Sequence, residues 1–177
     1  MRELTSLELE KVEKKVKQYI GSNFGSFLNP MFRLVLNNQK VYYVSTDLLK
    51  RAQLVARDNL VCLGTCLGRF TKSGHFRIKI TALSILWNYC LNRVRVKPTA
   101  EMSVLYGNHV QRAHLVGIPT EVKKNAGVVL CTVHDIPLGF GIMTKSGTEI
   151  VSGDRTAVVV VRHGDAGEYL RNEADLM

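Results

Sequence analysis

The sequence predicts an α+β chain of two domains. The first is a mixed α/β domain with an antiparallel sheet; the second is β-rich and closes as a small barrel or sandwich. Three observations carry this. Leu9, Val12, Val16, Tyr19 and Ile20 recur at helical spacing near the start. Strand-like stretches with polar turns follow. Beyond Pro98 the texture changes to short strands, many glycines and little helix. A chain of 177 residues, 46% hydrophobic and 22% charged, has room for two small cores without disulfide staples.

Taken in order, residues 5–20 read as a helix with Gly21 as its stop, and Thr5 with Glu8 has the form of a capping box. Residues 32–36 and 40–44 read as strands joined by Asn37-Asn38-Gln39. Residues 48–56 read as a helix capped by Thr46 or Asp47. Residues 60–70 look like a strand broken by Gly64 and Gly68, and Ser73-Gly74 marks a turn. Residues 75–80 alternate, with Arg77 and Lys79 on one face and Phe76, Ile78 and Ile80 on the other. Residues 81–91 read as an amphipathic helix carrying Trp87. Residues 93–97 alternate as a strand that Pro98 ends, so the domains are placed at 1–92 and 93–177. Further strands are expected at 109–116, 127–133, 138–144 and 156–161, with a terminal helical turn at 166–172.

Residues 1–10 carry no apolar signal segment, and the apolar run 80–87 is too short to span a bilayer. A soluble, intracellular protein with no membrane contact is expected. Cys62, Cys66, Cys90 and Cys131 then read as reduced thiols.

Charge gives the clearest functional signal. No acidic residue lies between Asp58 and Glu101, a span that holds Arg69, Lys72, Arg77, Lys79, Arg93, Arg95 and Lys97. Residues 1–92 hold 14 Lys and Arg against 6 Asp and Glu, whereas residues 93–177 hold 10 against 9, so the net charge of +9 sits almost wholly in the first domain. Such a tract repels itself unless a polyanion compensates it, and phosphate backbone is the commonest such partner. Phe70 and Phe76 could add flat faces for unstacked bases. The competing reading is a solvated basic face with no specific role.

Other chemistries find little support. Cys62-x3-Cys66, with His75 and Cys90 downstream, lacks a second close ligand pair, so no metal or cofactor is expected. No nucleophile motif is present, and His134-Asp135 before Ile136-Pro137 reads as a turn. His109 and His114, five apart on one expected strand, would face opposite sides. Gly139-Phe140-Gly141 and Gly64-x3-Gly68 fit no phosphate-cradle pattern; glycines within strands more often mark bulges or close backbone approach. No enzyme is indicated.

Six motifs occur in order: Val41-Tyr42-Tyr43-Val44-Ser45; Leu63-Gly64-Thr65-Cys66 with Gly68 and Phe70-Thr71-Lys72; Lys97-Pro98 with Ala100-Glu101; Leu105-Tyr106-Gly107-Asn108-His109-Val110; Asp135-Ile136-Pro137-Leu138-Gly139-Phe140-Gly141; and Gly167-Glu168-Tyr169-Leu170-Arg171. Together they resemble the Nip-seven family of large-subunit ribosome-biogenesis proteins. The resemblance implies an N-terminal α/β protein-contact domain and a C-terminal PUA pseudo-β-barrel that binds RNA. It implies a non-enzymatic, monomeric factor, nucleolar in eukaryotes and cytoplasmic in archaea. Its partners would be pre-ribosomal RNA, held at a single-stranded or bulged element, and other assembly factors. The RNA surface of that architecture lies near the first helix and last strand of the PUA domain. Here it points to Lys97, His109, Arg112, Arg162, His163 and Arg171, with Lys145 beside Ser146. Lys123, Lys124 and Arg155 read as loop charges. The charge count adds Arg69, Lys72, Arg77 and Lys79 as a possible extension of that surface. The rival functions are a protein-interaction adaptor with incidental RNA contact, and an accessory subunit of an RNA-modification enzyme.

Overall fold

The computed structural model describes residues 1–56, 60, 62–118 and 120–173. A short strand β1 (Arg2–Glu3) precedes helix α1 (Ser6–Ile20). The Thr5 hydroxyl accepts from Glu8 N, while the Glu8 carboxylate accepts from Thr5 N at 2.9 Å, closing the capping box. Arg2 donates twice to the same carboxylate and, ahead of the cap, holds it down at about 2. After α1 come helix α2 (Phe24–Phe27), strands β2 (Phe32–Asn37) and β3 (Lys40–Ser45), helix α3 (Thr46–Ala52), strands β4 (Thr65–Phe70) and β5 (Phe76–Ile78), and helix α4 (Leu83–Tyr89).

Strands β1 to β5 form an antiparallel meander in sequence order. Asn38 and Gln39 both adopt positive φ (45° and 64°), which makes the two-residue β2–β3 turn match the twist of its strands. One sheet face carries Leu34, Leu36, Val41, Tyr43, Leu67, Phe76 and Ile78, and α1 covers it with Val12, Val16, Tyr19 and Ile20. The other face holds a smaller cluster, Val35, Tyr42, Val44, Leu63 and Cys66, under Leu49 and Ala52 of α3.

The second half contains β6 (Arg93–Arg95), α5 (Pro98–Leu105), β7 (Val110–Gln111), β8 (Gly127–Cys131), β9 (Pro137–Met143), α6 (Gly147–Ser152), β10 (Val158–Asp165) and α7 (Glu168–Arg171). The sheet order is β6-β8-β9-β10-β7, curled as a half-barrel, with only the β6–β8 pair parallel. Val128 and Leu130 face the interior of the half-barrel with Val104, Met143 and Ile150. Val129 and Phe140 face outward and join the core under α1. The helix packs so closely on β8 that a Cβ at Gly127 would fall 2.6 Å from the Tyr19 ring and 2.7 Å from Gln18 O. The two halves therefore share one apolar junction.

Several expected elements differ in extent or kind. The strand expected over 60–70 begins at Thr65, after Gly64 in its positive-φ conformation (71°). The helix expected over 81–91 is α4, entered through a 3-10 turn, Ile80–Ala82. The cap of α3 is Ser45, whose hydroxyl accepts from Leu48 N, not Thr46 or Asp47. The strand expected over 109–116 stops after Gln111, because Arg112–His114 turns as a 3-10 helix closed by His114 Nδ1 on Gln111 N. Pro98 is the first residue of α5, where its missing N–H costs nothing.

Candidate nucleic-acid interface

Where the two sheets meet under α1, a groove of about 1010 Å³ runs along the surface. Its walls are the flank of α1 (Lys11, Lys14, Lys15, Gln18), the β4–β5 turn with the edge strand β5 through Arg77, and Phe140, Arg162 and His163 of the second sheet. No carboxylate lines it among the described residues.

The local sequence explains the arrangement. The apolar stripe of α1 turns inward, so Lys11, Lys14, Lys15 and Gln18, at i, i+3, i+4 and i+7, fall together on the groove flank. Lys11 Nζ donates to Gly74 O at 2.9 Å and fixes the β4–β5 turn. Lys15 Nζ donates to Gln18 Oε1 at 3.0 Å, and burial lowers its pKa. Gln18 Nε2 reaches across to Asn125 O at 2.9 Å.

The far wall is set by a β-bulge. Arg162 pairs with Gly141 and Gly164 with Phe140, which leaves His163 as the extra residue of β10. A bulge re-aims its side chain, and here the ring meets Tyr19. Tyr19 Oη lies 2.9 Å from His163 Nδ1, and the Tyr19 ring stands edge-on to Phe140 at 5.5 Å and 89°. Burial, then Lys15, Arg162, Arg77 and His109, pushes His163 down to about 4, although its outer edge stays open. The ring is thus neutral at pH 7. Burial also raises the Tyr19 pKa, so its hydroxyl keeps its proton at pH 7.

Of the eleven sequence-predicted site residues, Arg69 lies on β4 and Lys72 just past its end, and the other nine divide. Arg77, Arg162 and His163 come together in the groove. Lys79 falls just past the last residue of β5, its N–H on Leu67 O. The others lie on the second half, several with internal partners. Arg112 donates to Gly153 O and, at 2.7 Å, to Val151 O, capping the end of α6. Lys97 Nζ donates to Ala113 O at 2.8 Å. His109 Nδ1 accepts from Arg162 N at 3.3 Å. Lys145 precedes the Ser146 cap of α6 and lowers the Glu149 pKa as a secondary cause, behind the Ser146 hydrogen bonds.

Arg162 and Arg171 surround Asp165, which is fully buried. Arg162 Nη1 reaches Asp165 at 2.6 Å and Glu168 at 2.8 Å; Arg171 Nη2 contacts both Asp165 oxygens at 2.8 Å, and its other nitrogen donates to Leu105 O. Gly167 N adds a third donor and a fourth hydrogen bond at 2.9 Å. The Arg162 Nε is buried with no partner among the described residues.

Sequence reasoning did not single out Lys11, Lys14 and Lys15. The signal was the i, i+3, i+4 spacing of lysines beside the apolar stripe of α1. Cys66 and Cys131 are buried thiols whose pKa values burial raises. Among the described residues no cluster of His, Cys, Asp or Glu is placed to hold a metal ion, and no helix is long and apolar enough to cross a membrane.

Comparison with known proteins identifies the lineage. Residues 1–80 match the NIP7/UPF0113 pre-PUA domain, and residues 92–174 match the UPF0113 PUA domain. The 60S ribosome subunit biogenesis protein NIP7 of Saccharomyces cerevisiae is 41% identical over 181 residues, covering 99% of both chains. The chain belongs to the NIP7 family. Homologues in Dictyostelium discoideum and Xenopus tropicalis are 43% and 44% identical, covering at least 99% of each chain. Among solved structures, a hypothetical protein of Pyrococcus horikoshii superposes with a TM-score of 0.62 at 16% identity, covering 96% of each chain. A PUA domain protein of Aeropyrum pernix superposes with a TM-score of 0.63 at 13% identity, covering 99% of this chain and 90% of that one. These two likenesses show the shared fold of the chain.

Proposed function

We propose that this chain is a non-catalytic RNA-binding assembly factor of the large ribosomal subunit. It holds a single-stranded or bulged element of pre-ribosomal RNA, working in the nucleus and nucleolus of a eukaryotic cell. The observation that carries the reading is the groove at the PUA junction, which no carboxylate lines among the described residues and whose wall brings Lys14, Lys15 and Arg77 to one side of Arg162 and His163. Cations in an open groove suit phosphate contact, and an unpaired strand can follow a curved wall that a duplex cannot. The PUA match and the 60S biogenesis role carried in the relatives' names support the same reading. Those names describe assembly rather than a reaction, which favours a factor that orders steps performed by others. In this division the domain of residues 93–177 reads RNA, and residues 1–92 add the basic wall and meet other assembly factors, the protein acting as a monomer.

The test is a salt titration of the whole chain against single-stranded RNA, duplex RNA and single-stranded DNA. The expected result is preference for single-stranded RNA, with log K falling linearly with log salt. Equal affinity for all three would replace this reading with a protein adaptor.

A further inference from the structure

We infer that His163, seated on Tyr19 of α1, reads a ribose 2′-hydroxyl of the strand in the groove and so gives the chain its preference for RNA over DNA. The inference rests on the RNA reading above and names the contact that makes it selective. The cations cannot supply that preference. Lys11, Lys14, Lys15, Arg77 and Arg162 line the groove, and a phosphate looks the same to them on either backbone. The difference between the two backbones is one hydroxyl, which both donates and accepts a hydrogen bond. Reading it takes an uncharged polar group that is held in place and keeps one hydrogen-bonding atom open.

Besides the cations, four polar side chains line the groove among the described residues: Gln18, Ser73, His75 and His163. Gln18 is engaged at both ends, its nitrogen on Asn125 O and its oxygen under Lys15. The Ser73 hydroxyl lies 2.8 Å from that of Thr71, inside the β4–β5 turn. His75 stands exposed on the same turn, and its ring has no contact among the described residues to fix it.

His163 meets both conditions. The β10 bulge takes it out of the strand alternation, and its Nδ1 lies 2.9 Å from Tyr19 Oη. Tyr19 is itself fixed: it is 1% exposed, stands edge-on to Phe140 and closes on the Gly127 backbone. The remainder of His163 is exposed, so Nε2, across the ring from the held nitrogen, is left for the strand. Either tautomer fits. With the proton on Nε2 the ring donates outward, and with the proton on Nδ1 it accepts. A 2′-hydroxyl serves both cases, whereas a phosphate oxygen serves only the first. Burial and the surrounding cations keep the ring uncharged at pH 7, which also sets it apart from the phosphate-binding side chains. Tyr19 belongs to the first half and His163 to the second, so this reader exists only where the two halves meet.

The test measures binding of the whole chain to a short single-stranded RNA and to its deoxyribose counterpart with the same bases, at about pH 7.5. His163→Phe removes one uncharged hydrogen bond. It is expected to lower RNA affinity about 5-fold and to move DNA affinity less than about 2-fold, with the slope of log K against log salt unchanged. Tyr19→Phe keeps the ring and removes only the hydroxyl, and should lower the RNA preference about 3-fold. Replacing the riboses one at a time by deoxyribose should reveal one position that costs the wild type about 5-fold and His163→Phe less than about 2-fold. Equal losses on RNA and DNA with a shallower salt slope would assign His163 to phosphate instead. A deoxyribose scan that costs both proteins alike would overturn the sugar contact. Should His163→Phe fail to fold, Tyr19→Phe decides, and an unchanged RNA preference there overturns the inference. An RNA preference that survives in both variants would sink the sugar contact alone. A wild-type chain that binds RNA and DNA alike would sink the functional reading, and the contact with it.

Discussion

Two stretches of one acid-free tract end in opposite electrostatic situations. Around β6 the cations are satisfied internally. Arg93 lies 3.9 Å from the Trp87 ring centre, Arg95 grips Asp135 at 3.0 and 3.2 Å, and Lys97 caps Ala113 O. On β4 and β5, Arg69 and Arg77 face each other without an ion pair among the described residues. The same residue types therefore fold one half and present charge from the other. Net charge along the sequence does not distinguish these uses; the register of the sheets does. The arginines around Asp165 extend the contrast, since on the second half even the groove-lining Arg162 is tied to carboxylates.

The contrast can be broken at several points. The largest effect is expected from Asp165→Ala. Removing a buried carboxylate from between two guanidinium groups should cost about 3–5 kcal/mol in chemical denaturation. A cost below about 1 kcal/mol would mean that these arginines do not serve folding. Gly127→Ala comes next. Its Cβ would collide with Tyr19 and Gln18 O, so overpacking of about 1–3 kcal/mol is expected, together with weaker RNA binding as α1 lifts from β8. Retained stability with retained binding would show that the junction gives way cheaply.

Lys14→Ala/Lys15→Ala should behave in the reverse sense. RNA affinity is expected to fall about 10-fold, while stability moves by less than about 1 kcal/mol. A large stability loss would place these lysines with the structural cations.

The smallest effect concerns His163. Its folded value of about 4 lies below its ordinary 6.5, so the unfolded chain takes up the proton first as the pH falls. This contribution to stability is full above about pH 6.5 and drains away towards pH 4. His163→Gln should flatten that part of the stability profile. Phosphate in the groove would raise the value, so RNA binding should take up protons as the pH falls from about 6.5 towards 4 in the wild type and not in the variant. Calorimetry in buffers of different ionisation enthalpy reads this directly.

Much of the fold was legible because it rests on local signals. The α1 stripe and its Thr5–Glu8 box, the Asn38-Gln39 turn, and the alternation around Arg77 each need only a few neighbouring residues. The glycines of β9 were read as close approach, and a Cβ at Gly139 or Gly141 would indeed fall 2.4 Å from the Gly164 or Val161 carbonyl oxygen. Helix α6 was missed although Ser146 and Glu149 form a capping box, because its six residues carry too little periodicity. The candidate site was harder to see. The groove depends on α1 meeting β10 across more than a hundred residues, and the bulge that turns His163 towards Tyr19 breaks the alternation a sequence pattern relies on. Likewise the opposition of Arg69 and Arg77 needs a register that no single strand reveals.

The shared junction also has a consequence for how the chain is made. Tyr19 and Ile20 belong to a core that includes Val129 and Phe140. Synthesis runs from the N-terminus, and domains ordinarily fold as they emerge. Here the first sheet and α1 leave the exit tunnel with part of their apolar face uncovered. That face is sealed only when β9 follows, so the nascent chain carries an exposed greasy seam through much of its own translation.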